Sequence, residues 1–256
     1  MTNRTPKAKT VKAVPTPEDI ARKAIARLKS QADPEKAVQA QRYFKETIAS
    51  YGLTADDSRE LAREMYLLVK DGWSLEEAVE LCEILLPNKY LEAKGLATLI
   101  FLRFHKEFGR PIFGLVKTWL ARDYLDNWAS VDVLCPDSLG GLLERYPDLV
   151  PKIKVWTAHP NRWVKRASAV AFIKLARRGK CLNAAYQIAG RLFRCEDDLI
   201  EKANGWLLRE AGKTDMGRLE KFLLRQRGRV PRTTLRYAIE RFPESKRRLL
   251  LEKTRA

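Results

Sequence analysis

The chain has 256 residues, 45% of them hydrophobic and 32% charged, with 49 Lys+Arg against 32 Asp+Glu and a formal net charge of +17. That length suits one large core or two modest domains, and the apolar share is enough to fold. A balance this basic points to a polyanion, either nucleic acid or an anionic membrane surface, and no run approaches the roughly 18 apolar residues of a membrane span.

In chain order, "MTNRTPKAKTVKAVPTP" carries four basic residues and no acid, broken by prolines. It reads as a disordered basic arm over residues 1–17, without the apolar stretch of a secretory signal. From Pro17 onward the period is helical. "PEDIARKAIARLKSQA" opens on proline and two acids, a good helix start. "DPEKAVQAQRYFKETIASYG" has Asp33 as N-cap and Gly52 past its end, and "TADDSRELAREMYLLVKDG" repeats that grammar up to Gly72. "SLEEAVELCEILLPN" begins with a Ser-x-x-Glu capping box. Further helices are expected near 90–108, 112–121, 124–143, 147–157, 161–178, 182–193, 196–211, 216–226, 233–240 and 243–252. Lys213 to Ala256 holds 14 basic residues against five acidic ones. No strand pattern or Asn-Gly hairpin is present.

The fold expected is therefore all-α, with short connections that make successive helices antiparallel neighbours. Helix pairs near 147–178, 182–211 and 216–240 recur at the scale of HEAT-type repeats. This predicts a curved α-solenoid as a single domain over 18–252, with a short tail at 253–256. Its concave, basic face would cradle an extended ligand such as a duplex. Four cysteines (Cys82, Cys135, Cys181, Cys195) without a CxxC pair, and only two histidines, argue against a zinc site. They read as buried thiols in a reducing, cytoplasmic compartment. No metal or cofactor is called for, and a monomer is expected.

Candidate functional residues are aromatics and charges sharing helix faces. In "DYLDNWASVDVLC", Leu125, Trp128, Asp132, Cys135 and Leu139 follow at three- or four-residue steps, so a carboxylate shares a face with a tryptophan. In "RWVKRASAV", Arg166 follows Trp163 by three, and a basic group on the inner side of a helix needs a partner. In "KANGWLLRE", Lys202, Trp206 and Arg209 project together, and Gly205 in mid-helix implies close approach of another backbone or a ligand. Each tryptophan also reads as core filler. An Asp132–Arg166 pair that merely stabilises helix packing is, on these residues alone, slightly favoured over a reactive carboxylate.

These segments, with "RYFKETIASYGL", "RYPDLVPKIKVW" and "RTTLRYAIERFP", resemble the HEAT-like-repeat DNA alkylation repair glycosylases of the AlkC/AlkD type, the AlkD-like branch most closely. The resemblance covers residues 31–243, and its most specific elements are W-x-x-V-D and K-A-x-G-W-x-L-R-E in this order. It implies release of cationic N3- or N7-alkylated purines from duplex DNA without a base-flipping pocket. By that likeness Asp132 falls on the catalytic aspartate, Trp128 and Trp206 on the tryptophans lining the cleft, Tyr43 on a third aromatic that meets substrate, and Arg166 on a basic residue beside them. Arg59, Lys174 and Arg209 fall on positions facing the DNA backbone. "YGLTADDSRE" departs from the family pattern by placing Asp56 and Asp57 near Arg59. Beside the glycosylase stand two other readings, a non-catalytic HEAT-repeat nucleic-acid-binding protein and a helical scaffold. The resemblance predicts that Tyr43, Trp128, Asp132, Arg166 and Trp206 converge on one basic cleft.

Overall fold

The computed structural model describes residues 14–255; most of the expected N-terminal arm lies outside that range. Helix starts follow the capping grammar of the sequence. α1 (Pro17–Ser30), α3 (Ala55–Leu67) and α4 (Leu75–Leu85) each open with a reciprocal capping box, from Thr16, Thr54 and Ser74. α2 (Pro34–Gln41) is capped by Asp33. The end of the expected arm is part of the folded unit: Thr16 caps α1, and the Pro15 carbonyl accepts a 2.9 Å hydrogen bond from Trp73 Nε1.

The chain continues through α5 (Leu91–Phe101), a 3-10 segment over Leu102–Glu107, α6 (Pro111–Ala121), α7 (Trp128–Leu134), α8 (Ser138–Arg145) and α9 (Leu149–Val155). A 3-10 turn at Trp156–Ala158 leads to α10 (Arg162–Val170) and α11 (Ile173–Arg177). Then come α12 (Leu182–Leu192), α13 (Asp198–Gly212), α14 (Met216–Arg225), α15 (Arg232–Ala238) and α16 (Glu244–Lys253). Among the described residues the only β contact is an isolated bridge between Ala49 and Tyr90. No helix there is long and apolar enough to cross a membrane, and no cluster of His, Cys, Asp or Glu could hold a metal.

The helices form two layers of an α-solenoid. α3, α5, α7, α10, α13 and α15 pack side by side as one layer, each against the next. α4 backs α5, α12 and α14 back α13, and α6 packs on α8 and α10. One continuous apolar core runs between the layers, from Ile20 and Leu28 through Phe101 and Trp119 to Leu223 and Leu250. Burial of this kind, at about 25 cal/mol per Å² of apolar surface, is the main driving force for stacking such repeats.

Three long helices expected from periodicity are broken, and the one expected over 90–108 tightens to 3-10 from Leu102. The stretch 33–52 is helical only to Gln41. The Gln41 amide then ties down the following loop, donating to the Phe44 and Glu46 carbonyls and accepting from Ile48 N–H. That loop ends at Gly52, whose φ of +84° and close approach to the Asp33 carbonyl leave no room for a Cβ. The stretch 124–143 divides into α7 and α8 around Pro136, which has no N–H to continue the helix. The stretch 161–178 divides at Ala171–Phe172 into α10 and α11.

Candidate functional site

The launch of α7 fixes the first two candidate residues. Asn127 is buried and caps α7, its side chain accepting from Ser130 N–H at 2.9 Å. Beneath the preceding turn lies the buried Lys94, donating to the Tyr124 carbonyl at 2.8 Å and pairing with Asp126 at 3.0 Å. Trp128 and Asp132 therefore leave α7 one turn apart from a fixed start. Leu125, Cys135 and Leu139 are fully buried, as the shared face implied, but they reach the core from three different segments.

Asp132 meets α10 directly. Arg166 donates to both carboxylate oxygens, Nε to Oδ1 at 2.9 Å and Nη2 to Oδ2 at 2.7 Å. Its Nη1 donates to the Leu199 carbonyl at the start of α13. One guanidinium thus joins three adjacent helices of the same layer. The Arg166 side chain is 6% exposed and that of Asp132 15%, so the pair is buried with an open edge on the carboxylate side. Burial lifts the Asp132 carboxyl above its ordinary range, while the charge and hydrogen bonds of Arg166 pull it back only in part. The arginine reduces the shift and does not reverse it.

Trp128 is half-buried. Its ring stacks on Phe44 at 5.2 Å between centroids, and its Nε1 donates to the Tyr43 carbonyl at 3.3 Å. Tyr43 itself is 77% exposed, so its backbone is brought to the site and its ring is left in solvent. The loop bearing both residues is strapped across the layer, Lys45 to Asp198 at 2.8 Å and Glu46 to Arg162 at 2.7 Å. Phe44 and these straps carry no periodic signal. Asn127 falls inside the helix expected over 124–143, and only its residue type, favoured at N-caps, marks it.

Trp206 is half-buried on α13, two turns beyond Leu199 on the same face, with Lys202 between them held by Asp198 at 2.9 Å. Gly205 beside it does mark a close approach. A Cβ there would stand 2.4 Å from Tyr237 Cβ and 2.7 Å from the Thr234 carbonyl of α15. The contact is backbone packing, not a ligand. Arg59, Lys174 and Arg209 all lie on helices of this layer or its α11 continuation, each engaged by a carboxylate: Asp56, Asp137 and Glu240 respectively. The Asp56 that departs from the family pattern is the one that takes Arg59.

The sequence matches the DNA alkylation repair enzyme family over residues 24–242. The chain belongs to the DNA alkylation repair enzyme family. The fold is also that of a solved structure described as a predicted DNA alkylation repair enzyme from Enterococcus faecalis. The likeness has a TM-score of 0.73 over 84% of this chain and 98% of that one, at 19% identity. No curated protein sequence matches. Trp128, Asp132, Arg166 and Trp206 of this family member thus sit on three consecutive helices of the layer, α7, α10 and α13, with Arg166 bonded to both of its neighbours; Tyr43 lies on the loop after α2, Arg59 on α3 and Lys174 on α11.

Proposed function

We propose that this DNA alkylation repair protein is a glycosylase that hydrolyses the N-glycosidic bond of cationic N3- or N7-alkylated purines in duplex DNA. The observation that carries the reading is the Asp132 carboxylate, gripped on both oxygens by Arg166, one edge open, one helical turn from Trp128. An alkylated purine is already a cation. It leaves with the bonding electron pair as a neutral base and needs no general acid. What the reaction requires is negative charge beside the sugar as positive charge develops there, and Asp132 supplies it from a preorganised position. Water then adds to the sugar carbon and loses its proton, with the carboxylate placed to orient it. Trp128 and Trp206 present aromatic faces to the cationic base and transition state, worth about 0.5–2 kcal/mol each. Arg166 fixes the rotamer of Asp132, and Tyr43 is the aromatic that meets substrate on the N-terminal side. Arg59, Lys174 and Arg209 exchange their carboxylate partners for DNA phosphates, which makes binding salt-dependent. No base-flipping pocket enters this scheme.

The test is release of 7-methylguanine from methylated duplex DNA. Asp132→Asn is expected to keep duplex binding and lose base release; excision at the wild-type rate would remove Asp132 from the mechanism. A second reading, a duplex-binding solenoid without catalysis, is favoured by Phe44 lying on the Trp128 ring. Wild-type protein that binds duplex with steep salt dependence and releases no base selects it.

A further inference from the structure

The second layer of the solenoid carries a charged groove that the Asp132 site does not use. A cavity of about 810 Å³ opens between the 156–158 turn, α12 and the C-terminal end of α14. That volume is within the range of small-ligand sites. Its charged lining is wholly cationic: Lys165, Arg191, Arg194 and Arg229. None of these four makes an ion pair with a carboxylate among the described residues. By contrast Arg177, Arg178, Lys180 and Lys213, on the same repeats, are all paired. Arg191, in the last turn of α12, and Arg194, in the turn just beyond it, are both exposed and both line the groove.

Two further groups of the lining have no hydrogen-bond partner within the protein. Tyr186 lines the groove, is 7% exposed, and has a buried hydroxyl with no hydrogen-bond partner. Burial pushes that hydroxyl up to about 12, so it stays a proton donor. Gln226, also in the lining, has an unpartnered buried amide oxygen. The positive field is felt nearby: His159 is held below its ordinary range by burial and by Lys117 and Lys165.

We propose that this groove is a second anion site, taking a phosphate-bearing ligand on Lys165, Arg191, Arg194 and Arg229. Arginine forks match phosphate oxygens two at a time, and Lys165 supplies a point charge opposite them. The phosphate belongs either to a free small molecule or to nucleic-acid backbone reaching past the Asp132 layer. The site stands whether or not the protein is a glycosylase.

The probe is inorganic pyrophosphate, titrated by calorimetry into the full chain at low ionic strength. A saturable single-site isotherm is expected. The triple variant Arg191→Gln, Arg194→Gln, Arg229→Gln should weaken it roughly tenfold or more. The control Lys23→Gln, Lys29→Gln, Lys106→Gln removes the same charge from exposed positions elsewhere and should stay within about twofold. Both triples should match the wild type in helix content and melting temperature. No saturable binding by the wild type, or equal weakening in the two triples, overturns the proposal. Competition with a labelled undamaged duplex then decides the source. Displacement by pyrophosphate, lost in the groove triple, makes it DNA backbone; undisturbed duplex binding makes it a free phosphate compound.

Discussion

Replacing Arg166 by leucine strips Asp132 of its counter-charge and measures what the pair contributes to the fold. The substitution removes two charge-assisted hydrogen bonds to Asp132 and one to the Leu199 carbonyl. It leaves a carboxylate only 15% exposed without a partner. Removing one member of a buried pair costs about 3–5 kcal/mol, and the open edge of Asp132 puts this site at the lower end, about 3 kcal/mol at neutral pH. For a chain of this size that lowers the melting temperature by roughly 6–12 °C. The cost depends on pH. The wild-type carboxyl already sits above its unfolded value through burial, and losing Arg166 raises it further. A carboxyl raised in the folded state favours folding while protonated, and that contribution is lost as pH rises through the folded value. The penalty in Arg166→Leu is therefore smallest in mild acid and grows toward neutrality, by about 1.4 kcal/mol for each unit of added shift. Replacing both residues, Asp132→Leu with Arg166→Leu, removes the stranded charge and should return stability to within about 1 kcal/mol of the wild type. Urea unfolding followed by circular dichroism, at about pH 5 and about pH 7.5, reads all three proteins. A single variant that costs under about 1 kcal/mol at the higher pH, or a double variant no better than the single, refutes the reasoning.

Gly205→Ala gains about 1 kcal/mol of helix propensity but forces its methyl into Tyr237 and the Thr234 carbonyl. A net loss of about 1–2 kcal/mol is expected in thermal unfolding, and an unchanged or higher melting temperature contradicts the close packing of α13 on α15. Phe44→Ala should uncover Trp128, seen as a red-shifted, more quenchable tryptophan signal that disappears in a Trp128→Phe background, at a stability cost of about 1 kcal/mol. Under the proposed mechanism, base release should fall as pH drops through the Asp132 value. Because burial raises that value, the acid limb lies above the ordinary carboxylate range, and in Arg166→Gln it moves higher still. A pH profile flat through the acid range would count against a working Asp132 carboxylate.

Much of this molecule is local chemistry that the sequence spells out. Asp33, Thr54 and Ser74 cap helices because a short oxygen-bearing side chain before a helical run satisfies an orphan N–H, whatever lies elsewhere in the chain, whereas Thr16 falls in the expected arm and Asn127 and Asp197 fall inside expected helices that the structure starts later. The all-helical class, the exposed Arg59–Asp56 pair three residues apart, and the one-turn spacing of Trp128 and Asp132 follow from the same local rules. Gly205 announced a close approach, since a mid-helix glycine has a cost that only packing explains. The partner of each charge was less legible. An Asp132–Arg166 pair was one of two open readings across 34 residues, and the Leu199 carbonyl that completes it left no mark in any pattern. Phe44 on Trp128, Lys174 on Asp137 and Arg209 on Glu240 are likewise set by how one repeat stacks on the next. The loop after Gln41 belongs here too, because a helical period ran through it and distant anchors on Asp198 and Arg162 hold it elsewhere. Periodicity fixes which face a side chain leaves from. The register between layers, chosen by packing the whole core at once, decides what it meets there.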